Sequence, residues 1–137
     1  MLFRSHPDCA DVRTLLAARE RNPDAALAIA MFCHRARREV GALAAVLGGM
    51  DSLVFTGGIG EHSAVIRQEI CQGLEHLGVV LDTDANTAHA PIVSRRGVAC
   101  VVRVVRTNED LMVARHTRAV LQGRAGTNDR RQQCKSA

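Results

Sequence analysis

The sequence predicts an α/β layered fold with at least partly parallel strands. Two runs, Leu53–Phe55 and Val98–Val105, are apolar and largely β-branched without polar alternation, the pattern of strands covered on both faces. After residue 48 the order is strand, helix, strand, helix, which favours crossover connections. Only these two strands are firm, with a weaker candidate at Val79-Val80-Leu81. Two or three strands fall short of an ordinary sheet, so the chain reads as part of a sheet whose other strands lie elsewhere.

In chain order, residues 1–10 carry Pro7 and no periodicity and read as irregular. Asp11 to Arg21 suits a short helix, with Val12, Leu15 and Leu16 on one side. Asn22-Pro23-Asp24 breaks it, and Asp24 can cap the next helix. Ala25 to Leu47 is the strongest helix. Ile29, Phe32, Cys33, Ala36, Val40, Leu43 and Leu47 repeat at three and four residues in one apolar stripe. Gly48-Gly49 ends it. Arg35, Arg37 and Arg38 read as a solvated face.

Leu53 to Phe55 then leads into Thr56-Gly57-Gly58-Ile59-Gly60-Glu61-His62-Ser63, a strand, a glycine turn and a helix start. Glycines allow positive φ and close backbone approach, and Ser63 is a good N-cap. Such a junction aims backbone N–H groups and a helix dipole at whatever sits above it, which suits a phosphate. From the glycines alone, a tight turn and a phosphate site are equally good readings. A helix from about Ser63 to Leu77 comes next, striped by Ile66, Ile70, Leu74 and Leu77 and stopped by Gly78. Arg67 can be ordinary helix surface. Asp82 to Arg96 reads mostly as loop. Thr107 with Asp110 resembles a capping box opening a helix to about Leu121, and residues 123–137 read as a disordered tail.

Composition narrows the function. At 137 residues, 47% hydrophobic and 23% charged, the chain suits one globular domain. Much of its +4 charge sits after residue 123, where four basic residues face Asp129. With three Phe and no Tyr or Trp, this argues against a nucleic-acid face. The five cysteines are scattered, without a Cys-x-x-Cys pair, which suits reduced thiols in a cytoplasmic protein. The histidines lack metal-ligand spacing, and no apolar run approaches the roughly 20 residues of a membrane span.

Taken together, several segments resemble the C-terminal part of the acetate kinase family, which includes propionate and butyrate kinases. Phe55 to Ser63 followed by Val65-Ile66-Arg67 is similar to the family's FTxGIGENSxxIR signature, with His62 in place of the usual Asn. Thr107-Asn108-Glu109-Asp110-Leu111, then Ala114-Arg115, looks like its TNEEL…AR motif. Asp11-Val12-Arg13 with Leu15 resembles the segment lining the adenosine pocket, and Met50 to Val54 the lead-in to the glycine turn. The likeness covers about residues 8 to 121.

The resemblance implies a partial ribonuclease-H-like domain of the sugar kinase–actin superfamily, spanning residues 1–122. It implies Mg²⁺-assisted phosphoryl transfer between ATP and acetate or another short-chain carboxylate, giving an acyl phosphate, a reaction that depends mainly on positioning and charge stabilisation. Asp11, Val12 and Arg13 would touch adenosine; Gly58, Ile59, Gly60, Glu61 and His62 would lie by the nucleotide; Glu109 would help hold the magnesium. The residues alone also allow Asp11 as an N-cap, Arg13 as surface, and Glu109 and Asp110 as complements to a helix dipole. His62 replaces only part of an amide's hydrogen bonding.

The family's phosphate loop, catalytic Asp, histidine and substrate arginines belong upstream and have no counterpart in this sequence, so no catalytic residue is assigned. The alternative is a non-catalytic nucleotide-binding or pairing module, or a truncated relic. The family is usually homodimeric through this region, which leaves open a homodimer or pairing with a separate N-terminal half. An unrelated dinucleotide-binding unit fits poorly, because Gly57-Gly58-Ile59-Gly60 lacks the G-x-G-x-x-G spacing. Faces left without their sheet neighbours would be exposed and favour self-association.

Overall fold

A computed structural model of the chain describes residues 11–108 and 111–122. The chain forms two units, one ending at Arg106 and one beginning at Thr107. In the first, helix α1 (Val12–Ala18) precedes the long helix α2 (Pro23–Leu47). Strand β1 (Ser52–Phe55) follows, then helices α3 (Gly57–His62) and α4 (Ala64–Cys71), a 3-10 turn at Glu75–Leu77, helix α5 (Thr83–Thr87) and strand β2 (Val101–Val104). The second unit holds a helix over residues 111–122.

The two strands pair in parallel, Ser52 opposite Val101 and Phe55 opposite Val104. This bears out the expected parallel layering. The outer side of β2 is also engaged: Val93 N–H donates to the Val102 carbonyl and Val104 N–H to the Pro91 carbonyl. The core lies where α2 and α4 cover this sheet. Ile29, Ile66, Val79, Val93 and Val102 are fully buried there, with Cys33, Cys71 and Cys100. Burial of each such aliphatic side chain stabilises by about 1.5–3 kcal/mol.

Local chemistry sets the helix ends. Asn22 Oδ1 accepts from the N–H groups of Asp24 and Ala25 at 2.9 and 3.3 Å, with Pro23 preset for the first turn. The cap is therefore Asn22 rather than Asp24. Gly48 closes α2 with φ 73°, a left-handed geometry that glycine adopts without strain.

The structure corrects several expectations. The glycine run is a helical turn of its own, α3, rather than a bare turn. Ser63 does cap the next helix, its Oγ accepting from Ile66 N–H at 3.3 Å. That helix ends at Cys71 instead of Leu77, where Gln72 and Gly73 (φ 85°) redirect the chain. Gly78 stops the following 3-10 turn as anticipated, with φ 79°. The segment from Asp82 to Arg96 carries α5, capped by Asp82 Oδ1 on Ala85 N–H at 2.9 Å, and bridges between Leu81 and Ser94 and between Ile92 and Arg103. Arg35 and Arg38 are solvated, but Arg37 is half-buried and donates to the carbonyls of Glu69 and Ile70. In the second unit Asn108 Oδ1 accepts from Leu111 N–H at 2.9 Å at the head of the helix, and Asp110, the other half of the expected Thr107 capping box, lies outside the described residues. Residues 1–10 and the tail from 123 lie outside the described residues.

Candidate functional site

The glycine segment starts at the C-terminal end of β1. Thr56 is the N-cap of α3 in extended conformation. Gly57 enters the helix at φ 72°, which favours glycine there. Its N–H donates to Glu61 Oε1 at 2.9 Å, so the side chain of Glu61 folds back over the head of its own helix. Gly60 lies against the end of β1: a Cβ placed on it would stand 3.2 Å from the Phe55 carbonyl carbon. Close backbone approach is thus the reason for glycine at 60. Gly58 has a different character. It is exposed, its φ is not positive, and a Cβ there meets nothing within 4 Å. The fold itself makes no demand for glycine at 58.

Ile59 packs against the core, anchoring the turn from below. His62 is exposed, and its Nδ1 lies 3.0 Å from the Gly58 carbonyl. The ring therefore lies back along α3 and leaves Nε2 as its outward polar atom.

The clamp beneath this turn is Arg67. The side chain is fully buried, which overturns the reading of it as helix surface. Four of its five N–H donors find oxygen acceptors, and the fifth faces the His89 ring. Nε donates to Asn86 Oδ1 at 2.7 Å. Nη1 donates to the carbonyls of Gly60 at 2.7 Å and Glu61 at 3.1 Å. Nη2 donates to the Asn86 carbonyl at 2.7 Å and lies 3.2 Å from His89 Nδ1. Burial pulls the guanidinium pKa below its ordinary value, yet arginine titrates so high that the charge remains. Its counter-groups are carbonyl dipoles at the end of α3 rather than a carboxylate.

Asn86 Nδ2 in turn donates to the Ala64 carbonyl at 2.9 Å. His89 sits at φ 52°, and its Nδ1 is also 3.0 Å from the Glu61 carbonyl. One ring nitrogen can accept from Arg67 or donate to Glu61, serving one partner at a time. The motif that carries the glycines also carries Arg67, but its Asn86 and His89 partners lie in the segment read as loop. Asp82, a helix-capping residue type three positions before Ala85, was the available signal for α5.

The other expected residues stand on different elements. Asp11 caps α1, its Oδ1 accepting from Arg13 N–H and its Oδ2 from Arg13 Nε, both at 3.1 Å. Arg13 is largely solvated. Val12 is half-buried against the core. Gly58, Gly60, Glu61 and His62 share one helical turn, while Asp11, Val12 and Arg13 share the head of α1. Glu109 lies outside the described residues. Among the described residues no three His, Cys, Asp or Glu side chains gather to hold a metal ion, and no helix is long and apolar enough to cross a membrane.

Comparison with known proteins places this geometry. The chain is 49% identical over 108 residues to an acetate kinase of Rhodopseudomonas palustris, covering 77% of this chain and 27% of that protein. In structure it matches the acetate kinase of Porphyromonas gingivalis with a TM-score of 0.72 and 36% identity, over 82% of this chain and 29% of the other. It matches a propionate kinase from Francisella tularensis with a TM-score of 0.69 and 34% identity, over 77% and 28%. The chain therefore spans under a third of the length of these relatives, and its α/β fold is part of the acetate kinase fold. The sequence profile of the Acetokinase family matches residues 7–115, and the chain belongs to that family.

Proposed function

We propose that this chain supplies one wall of the ATP site in an acetate-kinase-type phosphotransferase, acting with Mg²⁺ on ATP or ADP and on acetate or a similar short carboxylate. The observation that carries this reading is the exposed Gly58 on a turn that buried Arg67 holds rigidly at the end of β1. A glycine that packing does not require, on a fixed backbone at the C-terminal end of a strand, suits close approach of a phosphate. Asp11, Val12 and Arg13 would line the adenosine. Glu109 would help hold the Mg²⁺, a hard cation suited to a carboxylate.

Calorimetric titration of the chain with MgADP tests the reading. Saturable heat that Gly58→Ala diminishes supports it; no heat at millimolar nucleotide removes it. A second reading is a nucleotide-binding module without activity of its own. The purified chain given ATP, acetate and Mg²⁺ should form no acetyl phosphate.

A further inference from the structure

We propose that Glu69 is a positioning residue: bound to Arg19, it fixes the direction of α1 and so sets the Asp11–Arg13 head of that helix against the glycine turn. This role rests on the reading of Asp11, Val12 and Arg13 as the adenosine wall, and Glu69 lies outside the segments that carry that reading.

Glu69 stands on α4, two residues beyond the Arg67 clamp. It occupies the last turn of that helix, where the dipole disfavours a carboxylate. The reason for an acid there lies with partners from other elements. Its Oε1 accepts from Arg19 Nη1, across 50 residues of chain. The buried Cys33 thiol of α2 donates to the same carboxylate. Arg37, one turn further along α2, donates to the carbonyls of Glu69 and Ile70. Three helices therefore meet at one residue. The ion pair is partly withdrawn from water, the Glu69 side chain being 22% and that of Arg19 35% exposed, which weakens screening by salt. Two other ion pairs, Arg13 with Asp11 and Arg38 with Glu39, join residues one or two positions apart and tie no element to another.

Helix α1 depends on such a tie. With seven residues it is too short to hold as a helix by itself. Of its residues Leu15 alone is buried, while Val12, Leu16 and Ala18 are half-buried against the core. Apolar contacts are non-directional, so Leu15 acts as a pivot and the Arg19–Glu69 pair at one end sets the angle. Asp11 and Arg19 flank the helix, each four residues from Leu15, or about 6 Å along the axis. A displacement of the Arg19 end thus appears at the Asp11–Arg13 head with similar size and opposite sense. The same α4 holds the glycine turn through Arg67. One helix therefore sets both groups, the turn through Arg67 and the α1 head through Glu69.

The test measures MgADP affinity by calorimetry and amide exchange on the same set of chains. Glu69→Gln keeps the shape and removes the charge. It should lower MgADP affinity by about fivefold, within the coupling that residues of one network show. Exchange should quicken over residues 12–18 and stay level over 57–62. Arg19→Ala should act alike, and Arg19→Ala/Glu69→Gln should lose no more than either change alone. Arg19→Lys, which keeps a charge on a flexible stem, should hold most of the affinity. In an Arg13→Ala background Glu69→Gln should cost little more, because the head that it positions has already lost its contact. Additive losses, an undiminished effect in the Arg13→Ala background, or exchange that quickens equally over 57–62 would make Glu69 a general support of the fold and overturn the proposal. If the unaltered chain binds no MgADP, the nucleotide reading falls by itself. Exchange over 12–18 then decides the remainder: quickening in Glu69→Gln upholds Glu69 as the residue that directs α1, and unchanged exchange overturns it.

Discussion

Arg67 reaches Asn86 twice: Nε donates to the side-chain Oδ1 and Nη2 to the backbone carbonyl, both at 2.7 Å. One residue of α5 thus takes two of the five donors of a fully buried guanidinium, while Gly60 and Glu61 at the end of α3 take two more. The pairing joins three helices that hold few residues each. Asn86→Ala leaves Nε and the Ala64 carbonyl without partners, and a buried polar group so orphaned costs about 1–3 kcal/mol. Urea denaturation should show a loss of roughly 2–3 kcal/mol. Asn86→Asp should recover part of it, because the carboxylate still accepts from Nε while Ala64 loses its donor. Equal losses in the two variants would show that the Arg67 contact contributes little.

Arg67→Lys should be nearly as damaging as Arg67→Ala. A lysine ammonium has three donors and no fork, so it cannot span Gly60, Glu61 and Asn86 together. The loss should reach about 3 kcal/mol or more, and amide exchange should quicken over residues 57–62 before it does in β1. Uniform quickening would mean that Arg67 supports the whole core rather than the glycine turn.

What the sequence displays and what it conceals divide along the range of the interaction. The strands, the long α2, its stop at Gly48 and the cap at Ser63 depend on nearest neighbours and periodicity, and all were legible. The burial of Arg67 was not, because its acceptors are mainly carbonyls, which every residue type carries. The early end of α4 comes from Gly73 at φ 85°, a break that the apolar spacing of Ile70, Leu74 and Leu77 masks. Leu43 and Leu47 belong to the core stripe by spacing, yet they are exposed, because the surface that would cover them is supplied by no described part of the chain.

Ser63→Ala should destabilise by about 1 kcal/mol, the usual cost of losing an N-cap side chain. Its Oγ serves Ile66 N–H at the head of α4, and α4 carries Arg67 one residue later. The denaturation midpoint measures this, and Ser63→Asp should hold close to the parent value. A loss with Asp equal to that with Ala would remove the capping explanation.

The buried thiols predict how stability varies in alkali. Burial first, then Glu69, pushes the Cys33 thiol up to about 11. Burial first, then Cys100, pushes Cys71 to about 12. In the unfolded chain these thiols ionise near 9.0, so above that pH the unfolded state holds fewer protons than the folded one. Stability is then fully present below about pH 9 and falls as pH rises toward 11, by about 1.4 kcal/mol per thiol for each pH unit between the unfolded and folded ionisations. The sequence has no tyrosine and one lysine, Lys135, so few other groups compete in this window. Urea midpoints between about pH 8 and 10.5 should decline, and Cys71→Ala should flatten the decline. Native Cys33 and Cys71 should also resist iodoacetamide at about pH 8 and react once urea unfolds the chain.

Gly58 separates the fold from the proposed chemistry. Alanine there meets no atom within 4 Å and replaces a helical glycine, so Gly58→Ala should be neutral or stabilising by up to about 1 kcal/mol. Gly60→Ala is the contrasting case, because its Cβ would press on the Phe55 backbone at 3.2 Å, a crowding that costs about 1–3 kcal/mol. If nucleotide phosphate rests on the α3 backbone, Gly58→Ala should lower MgADP affinity by about tenfold, a loss of roughly 1.4 kcal/mol, while the melt rises or stays level. A stable Gly58→Ala chain that binds MgADP as tightly as the parent would place the nucleotide away from α3, because the only change at that position is a methyl group on the surface the phosphate would need.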